Sequence, residues 1–365
     1  MERRHIDYTL LVVVLLLMAI GVMMVYSSSA ILAQERYNDS FYFLKREVVF
    51  TAVGILLILI GKNIDYHVYY KLTYPILALI LFLALLVFIP GIGHSAGGAQ
   101  RWIRIAGIGL QPSELTKLGV LLFLAYALTK KGDKIKELKV GFIPTILVAG
   151  FFAGLVLLQK DLGTAFVLVL LMAVMLYVAG TRLVYLAAGF LAAVPALYFL
   201  IFHVDYRRKR ILAFLDPWEH QRDSGFQIIQ SYVAFNSGGL MGAGLGQGKQ
   251  KLFYLPAAHT DFIFSVIGEE LGLIGVFFVF ALFLIFLFRG IKITFRAPDT
   301  YGTFLAAGIT TLVIAQTLIN FGVVMGLLPT KGLPLPFISH GGTSLLVLCL
   351  MVGILLNISS QARKN

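Results

Sequence analysis

Ten apolar stretches, each long enough or nearly long enough to cross the hydrocarbon core of a bilayer, dominate this sequence. They run over about 9–31, 46–62, 72–90, 111–130, 141–158, 162–180, 183–203, 260–288, 302–327 and 341–358. In lipid every backbone amide and carbonyl must find its partner within the protein, which leaves helices or closed barrels, and runs of this length are helical. Composition agrees: of 365 residues 59 % are hydrophobic and 13 % charged, where a soluble domain carries about a quarter charged residues. A soluble enzyme and a disordered chain are excluded. The expected fold is all-α, a polytopic integral membrane protein of about ten transmembrane helices. One membrane domain over 1–365 is expected, with a large extracytoplasmic loop at about 204–259 between the seventh and eighth spans and a Pro-rich outer loop at about 328–341.

The single cysteine, Cys349, excludes an intrachain disulfide framework and a CxxC metal or redox site. The first apolar run is too long for a signal-peptide core and reads as a retained span. A net charge of +12 in a soluble chain would point to nucleic acid; here it points to basic residues facing anionic lipid headgroups, and no nucleic-acid partner is expected. An even number of spans puts both termini on one side. With the termini inside, fifteen Lys and Arg face the cytoplasm, among them Arg3, Arg4, Lys130, Lys131, Lys134, Arg289, Arg363 and Lys364, against seven in the short outer loops. That bias places both termini in the cytoplasm. The long loop runs against it, carrying Arg207, Arg208, Lys209, Arg210, Arg222, Lys249 and Lys251 on the outer side. The rule weights long loops less, and basic residues kept there suit a diphosphate.

Ionisable groups at membrane depth are costly and are functional candidates by default. The fourth span opens QPSELTKLG, which sets Glu114 and Lys117 at i and i+3 on one helical face, as a self-neutralising ion pair or as substrate contacts. In LLQKDLGTA, Asp161 stands where an Asp caps the following helix, and capping is compatible with a role in a site. Within the long loop, ILAF and QIIQSYVAF read as short helices along the membrane surface. The glycines from Gly238 to Gly248 allow tight turns, but no strand precedes them and a dinucleotide fold is rejected. Asp261 lies at the mouth of the eighth span, either as a general base in a partly water-shielded place or as that helix's N-cap. Glu269 and Glu270, about two turns deeper, are buried hydrogen-bonded residues or catalytic ones. The segment GLLPTKGLPLPFISHGGTS has too many prolines for a helix; it reads as a re-entrant loop that brings Lys331 and Ser339 to a pocket, or as a rigid outer turn. In AQRWIRI, Trp102 anchors at the interface while Arg101 and Arg104 are placed to meet phosphates.

Taken together, QPSELTK, LLQKDLGTA, LPAAHTDFIFSVIGEELG and LLPTKGLPLPFISHGGTS resemble the SEDS family of bacterial shape, elongation, division and sporulation proteins, in order and over essentially the whole chain. The lysine of LPTKGLPLPFIS, Lys331, is closer to the division and sporulation branches than to the elongation branch; His340 stands where tyrosine is common. The resemblance implies a peptidoglycan glycosyltransferase of the bacterial inner membrane that polymerises lipid II at the division septum. Its implied partners are a class B penicillin-binding protein that crosslinks the strands, other division-complex membrane proteins and membrane lipids. Lipid II flipping is the alternative, as is the same polymerase in elongation or sporulation. By resemblance, Asp261 matches the family's essential aspartate, and Glu114, Lys117, Asp161, Lys331 and Ser339 match cavity-lining positions. Turning an α-linked diphosphate into a β-1,4 linkage needs a base and positive charge for the departing diphosphate. Asp261 is expected as that base or as the ligand of a divalent cation, Mg²⁺ or Mn²⁺, with Arg101, Arg104, Arg210 and Lys331 on the diphosphate.

Overall fold

The computed structural model describes residues 6–96, 99–105, 108–221, 225–251, 255–256 and 258–362. Arg3, Arg4, Arg222, Arg363 and Lys364, counted above for orientation, lie outside the described residues. Ten long helices fall on the ten apolar stretches: α1 (Tyr8–Tyr37), α2 (Tyr42–Asn63), α3 (His67–Leu86), α4 (Pro112–Lys131), α5 (Ile143–Leu158), α6 (Leu162–Val178), α7 (Leu183–Phe202), α10 (Ile263–Arg296), α11 (Thr300–Val324) and α12 (Gly342–Ser360). Among the described residues, seven helical segments are long and apolar enough to span a bilayer by length and composition, and the chain is a multi-pass membrane protein. The others are short, as α6 is, or carry charge, as α2 and α4 do.

Polar residues set the helix ends. Asp7 accepts from Leu10 N at the start of α1, Asp161 from Thr164 N at α6 and Asp299 from Gly302 N at α11, each satisfying an otherwise unpaired first-turn amide. Asp7 also binds Arg289 of α10 in a two-pronged ion pair, and its amide donates to Ser359 Oγ of α12, so the described chain starts and finishes at one end of the bundle. The core is apolar and built from α1, α4, α6, α10, α11 and α12. Where α2 crosses α12, Gly61 meets Gly353; a methyl added at Gly61 would stand 3.1 Å from the Gly353 Cα, the small-residue contact by which membrane helices approach closely. Cys349 is buried here, its sulfur 3.9 Å from that of Met18.

Two features depart from expectation, the outer meander and a break in α10, while the long loop forms its two expected helices. The segment expected as a plain outer loop around AQRWIRI is an antiparallel meander, β1 (Gly93–Ala96), β2 (Ala99–Ile105) and β3 (Ile108–Leu110), in order β1-β2-β3. The long loop holds two helices, α8 (Asp205–Leu215) and α9 (Phe226–Gly238), over the two expected apolar patches; α9 packs against α10 and α11, with Ser231 bonded to Ser265 Oγ and to the Val324 carbonyl. Finally, α10 is broken at Gly272, whose φ of 64° and ψ of −164° are not helical. The break is bridged from outside the helix: Ala243 N and Gly244 N donate to the carbonyls of Glu269 and Glu270, and Leu273 N and Ile274 N donate to those of Gly239 and Leu240. Gly242, at φ 83°, passes so close that a Cβ would collide with the Glu270 carbonyl.

Candidate active site

The chain around Asp261 and the Pro-rich segment interlock at one end of the bundle. Residues 329–335 have no regular structure, in line with the proline density, and therefore cannot saturate their own backbone groups. Cross-links do so instead. His340 N donates to the His259 carbonyl at 3.0 Å, and Ser339 Oγ donates to the Thr260 carbonyl at 2.6 Å while accepting from Leu335 N at 2.8 Å. His340 in turn places Nδ1 2.6 Å from Glu47 Oε2 of α2, which gives this residue a defined partner.

Asp261 precedes α10 rather than capping it: the N-cap position is Phe262 and receives no side-chain bond. Its carboxyl is half-buried, and Gly332 passes so close that a Cβ there would sit 3.2 Å from Asp261 Oδ2. Burial pushes the Asp261 pKa up to about 6, against the pull of Arg210 and Arg101 and with the push of Asp161. Neighbouring His259 is pushed down to about 4 by burial and by His340 and Arg36, so it is neutral at pH 7.

Two cations act on this carboxyl, Arg210 and Arg101. Arg210, on α8, donates Nη1 to the Thr330 carbonyl at 3.3 Å and so ties α8 to the Pro-rich loop. Arg101, on β2, bonds the Lys160 carbonyl and holds Nη1 3.9 Å from Asp161 Oδ1. Asp161 caps α6, as expected, and also accepts from Thr164 Oγ1 at 3.0 Å and Ser113 Oγ at 3.1 Å. Lys331 rests its ammonium 4.3 Å from the ring centroid of Phe166 on α6, and burial lowers its pKa.

Other expected residues lie apart. Arg104 alternates with Arg101 along β2, points to the other face and is exposed, so it is not brought to Asp261. Glu114 and Lys117 pair with each other, 2.7 Å apart and almost fully buried, and Lys117 also donates to Gln316 Oε1 at 3.0 Å. Glu269 accepts from the amides of Lys249 and Gln250 at 2.7 and 3.2 Å. Glu270 takes Gly246 N at 3.1 Å, Ser27 Oγ and Lys251 Nζ at 2.7 Å. Lys251, one of the loop cations expected to suit a diphosphate, is thereby committed to Glu270. Sequence reasoning missed Gln316 and Asn320, buried amides within the ninth apolar stretch. A criterion of formal charge passes over them, whereas any strongly polar side chain at that depth carries the same signal.

Known proteins fit this arrangement. Residues 7–364 match the family model described as "Cell cycle protein", which groups FtsW, RodA and SpoVE. A relative named probable peptidoglycan glycosyltransferase FtsW, from Geobacter sulfurreducens, is 51 % identical over 99 % of this chain and 97 % of its own. Stage V sporulation protein E of Bacillus subtilis is 42 % identical over 98 % of each. Among solved structures, a chain from work on coordination of polymerization and crosslinking by a peptidoglycan synthase complex superposes with a TM-score of 0.78 at 27 % identity, covering 98 % of both chains. The rod shape determining protein RodA of Thermus thermophilus gives 0.70 at 25 % identity, over 99 % of this chain and 98 % of its own. The chain belongs to the FtsW, RodA and SpoVE family of cell cycle proteins.

Proposed function

We propose that this chain is a peptidoglycan glycosyltransferase that polymerises lipid II into β-1,4-linked glycan strands, with Asp261 as the general base. The observation that carries this reading is a half-buried carboxyl that accepts no hydrogen bond from the described residues and lies within the electrostatic reach of Arg101 and Arg210. At pH 7 a group with a pKa of about 6 is mostly ionised, yet it is a better proton acceptor than an ordinary aspartate. The acceptor's 4-hydroxyl attacks the donor's anomeric carbon from the face opposite the diphosphate. The new C–O bond forms as the bond to the diphosphate breaks, the configuration inverts, and the hydroxyl proton passes to the Asp261 carboxylate. The lipid diphosphate leaves with the bonding electrons, its charge met by Arg101, Arg210 and Lys331. Lys331 would leave its resting place on Phe166 to do so.

Among the described residues no three His, Cys, Asp or Glu side chains converge on one point. In the alternative in which Asp261 holds a divalent ion instead of acting as the base, the ion would share that carboxylate with diphosphate oxygens and water, a set that suits Mg²⁺ or Mn²⁺. Such an ion would add charge stabilisation at the leaving group. EDTA is then expected to lower polymer yield and Mg²⁺ to restore it; EDTA resistance removes the ion.

The working partner in this reading is a class B penicillin-binding protein transpeptidase, within the division complex at the septum, with both termini in the cytoplasm. The deciding experiment is polymerisation of lipid II by the purified protein with its transpeptidase partner inactivated. Wild type should make polymer and folded, partner-bound Asp261→Asn should not. Polymer from both removes Asp261 as base. Polymer from neither, with the complex intact, turns the question to lipid II translocation.

A further inference from the structure

Two side chains of α11 lie between the buried Glu114–Lys117 pair and Asp261. Gln316 and Asn320 are four residues apart and share a face of the helix; both are buried, at 0 % and 2 % exposure. Asn320 gives both protons of Nδ2 to main-chain carbonyls of two different loops, Asp261 O at 2.9 Å and Leu333 O at 2.9 Å. Those partners fix the amide's orientation, because its oxygen turned toward two carbonyls would be repelled by both. Gln316 is fixed likewise, since its Oε1 must accept from Lys117 Nζ. One donor and one acceptor remain, Gln316 Nε2 and Asn320 Oδ1, each buried with no hydrogen-bond partner among the described residues. A buried pair of complementary, unmatched groups on one helix face is the setting that an internal water occupies.

The other cross-links between the two loops, Ser339 to Thr260 and His340 to His259, fasten the neighbours of Asp261. Asn320 fastens Asp261 itself. We infer that Asn320 is a positioning residue for glycosyl transfer: it holds the loop of Asp261 and the loop of Lys331 at a fixed separation, backed through a bridging water by Gln316, Lys117 and Glu114. The inference rests on Asp261 as the base. It gives the buried ion pair a purpose at a distance from the reacting atoms, since Lys117 anchors Gln316 and Gln316 anchors the water that satisfies the remaining oxygen of Asn320. A reacting group displaced by about 1 Å loses on the order of a hundredfold in rate, so a clamp on the main chain of the base has a large lever on turnover.

The test uses full-length Asn320→Ala with the transpeptidase partner, read by amide hydrogen exchange, lipid II binding and lipid II polymerisation. Exchange should rise at 258–262 and 329–340 while α4 and α12 stay protected. Turnover should fall roughly 10- to 100-fold with lipid II affinity changed less than about twofold, because Asn320 sets the geometry of the base and does not itself hold substrate. Asn320→Ser leaves a smaller cavity and a hydroxyl too short to reach both carbonyls; it should give the same pattern and serves if the alanine variant does not fold. Unchanged exchange at both loops overturns the inference, as does raised exchange with unchanged turnover. Normal polymerisation by Asp261→Asn would instead remove the base, so the two failures are distinguishable.

Discussion

Asp261 and the Glu269–Glu270 pair lie on one continuous stretch of chain, and the structure treats them in opposite ways. Every oxygen of the glutamates is met by fixed partners: the backbone amides of Gly246, Lys249 and Gln250, Ser27 and the ammonium of Lys251. Among the described residues nothing donates a hydrogen bond to the Asp261 carboxyl, and its cationic neighbours Arg101 and Arg210 have their own contacts, with the carbonyls of Lys160 and Thr330. A carboxylate whose bonds are filled by the protein holds structure together. One ringed by charge but left with open lone pairs can take a proton from something else.

The comparison breaks most visibly at Asp261. Asp261→Asn should leave folding and partner binding intact and reduce polymerisation about a hundred- to ten-thousand-fold, the range for loss of a general base. Glu270→Gln should do the reverse. It strands a buried ammonium, a loss of about 3–5 kcal/mol, seen as a lower unfolding temperature in detergent; the double variant Glu270→Gln/Lys251→Met should recover much of it. If Glu270→Gln were as stable as wild type yet inactive, the division of labour would be wrong. The cations sharpen it further. Arg101→Ala should lower turnover roughly tenfold by removing charge near the leaving group, and Arg104→Ala, on the opposite face of β2, should change it less than about twofold. The pH dependence tests the base itself. Because the Asp261 pKa is raised to about 6, the ionised, active base is lost as pH falls through that value. Turnover at pH 5 should be roughly a tenth of that at pH 7, and an inflection near pH 4 would mean that burial does not govern this group.

The helices were legible because apolar length is a local property, and ten runs gave ten helices. The ion pair of Glu114 and Lys117 was legible as well, since i,i+3 spacing fixes the face. The meander of β1, β2 and β3 was not, because its pairing depends on backbone bonds between strands and carries no clear alternation of apolar residues. Nor was the roster of cations around Asp261. Arg101, Arg104, Arg210 and Lys251 look alike as letters, and their roles separate only when strand alternation sends Arg104 away and Glu270 captures Lys251. Asn320 was hidden for a different reason: its work is done on main-chain carbonyls, which leave no trace in the neighbouring side chains.

The break in α10 has a mechanical consequence. A helix interrupted at a single glycine would ordinarily be a free joint, with its two halves able to swing. Here four main-chain bonds from residues 239–244 straddle Gly272, two to each side, like a splint across a fracture. The outer segment cannot be lifted without releasing both halves of the helix, and neither half can tilt without dragging the segment along. Any force applied to residues 239–244 is thus delivered to the chain that carries Asp261 at one end and Arg289 at the other.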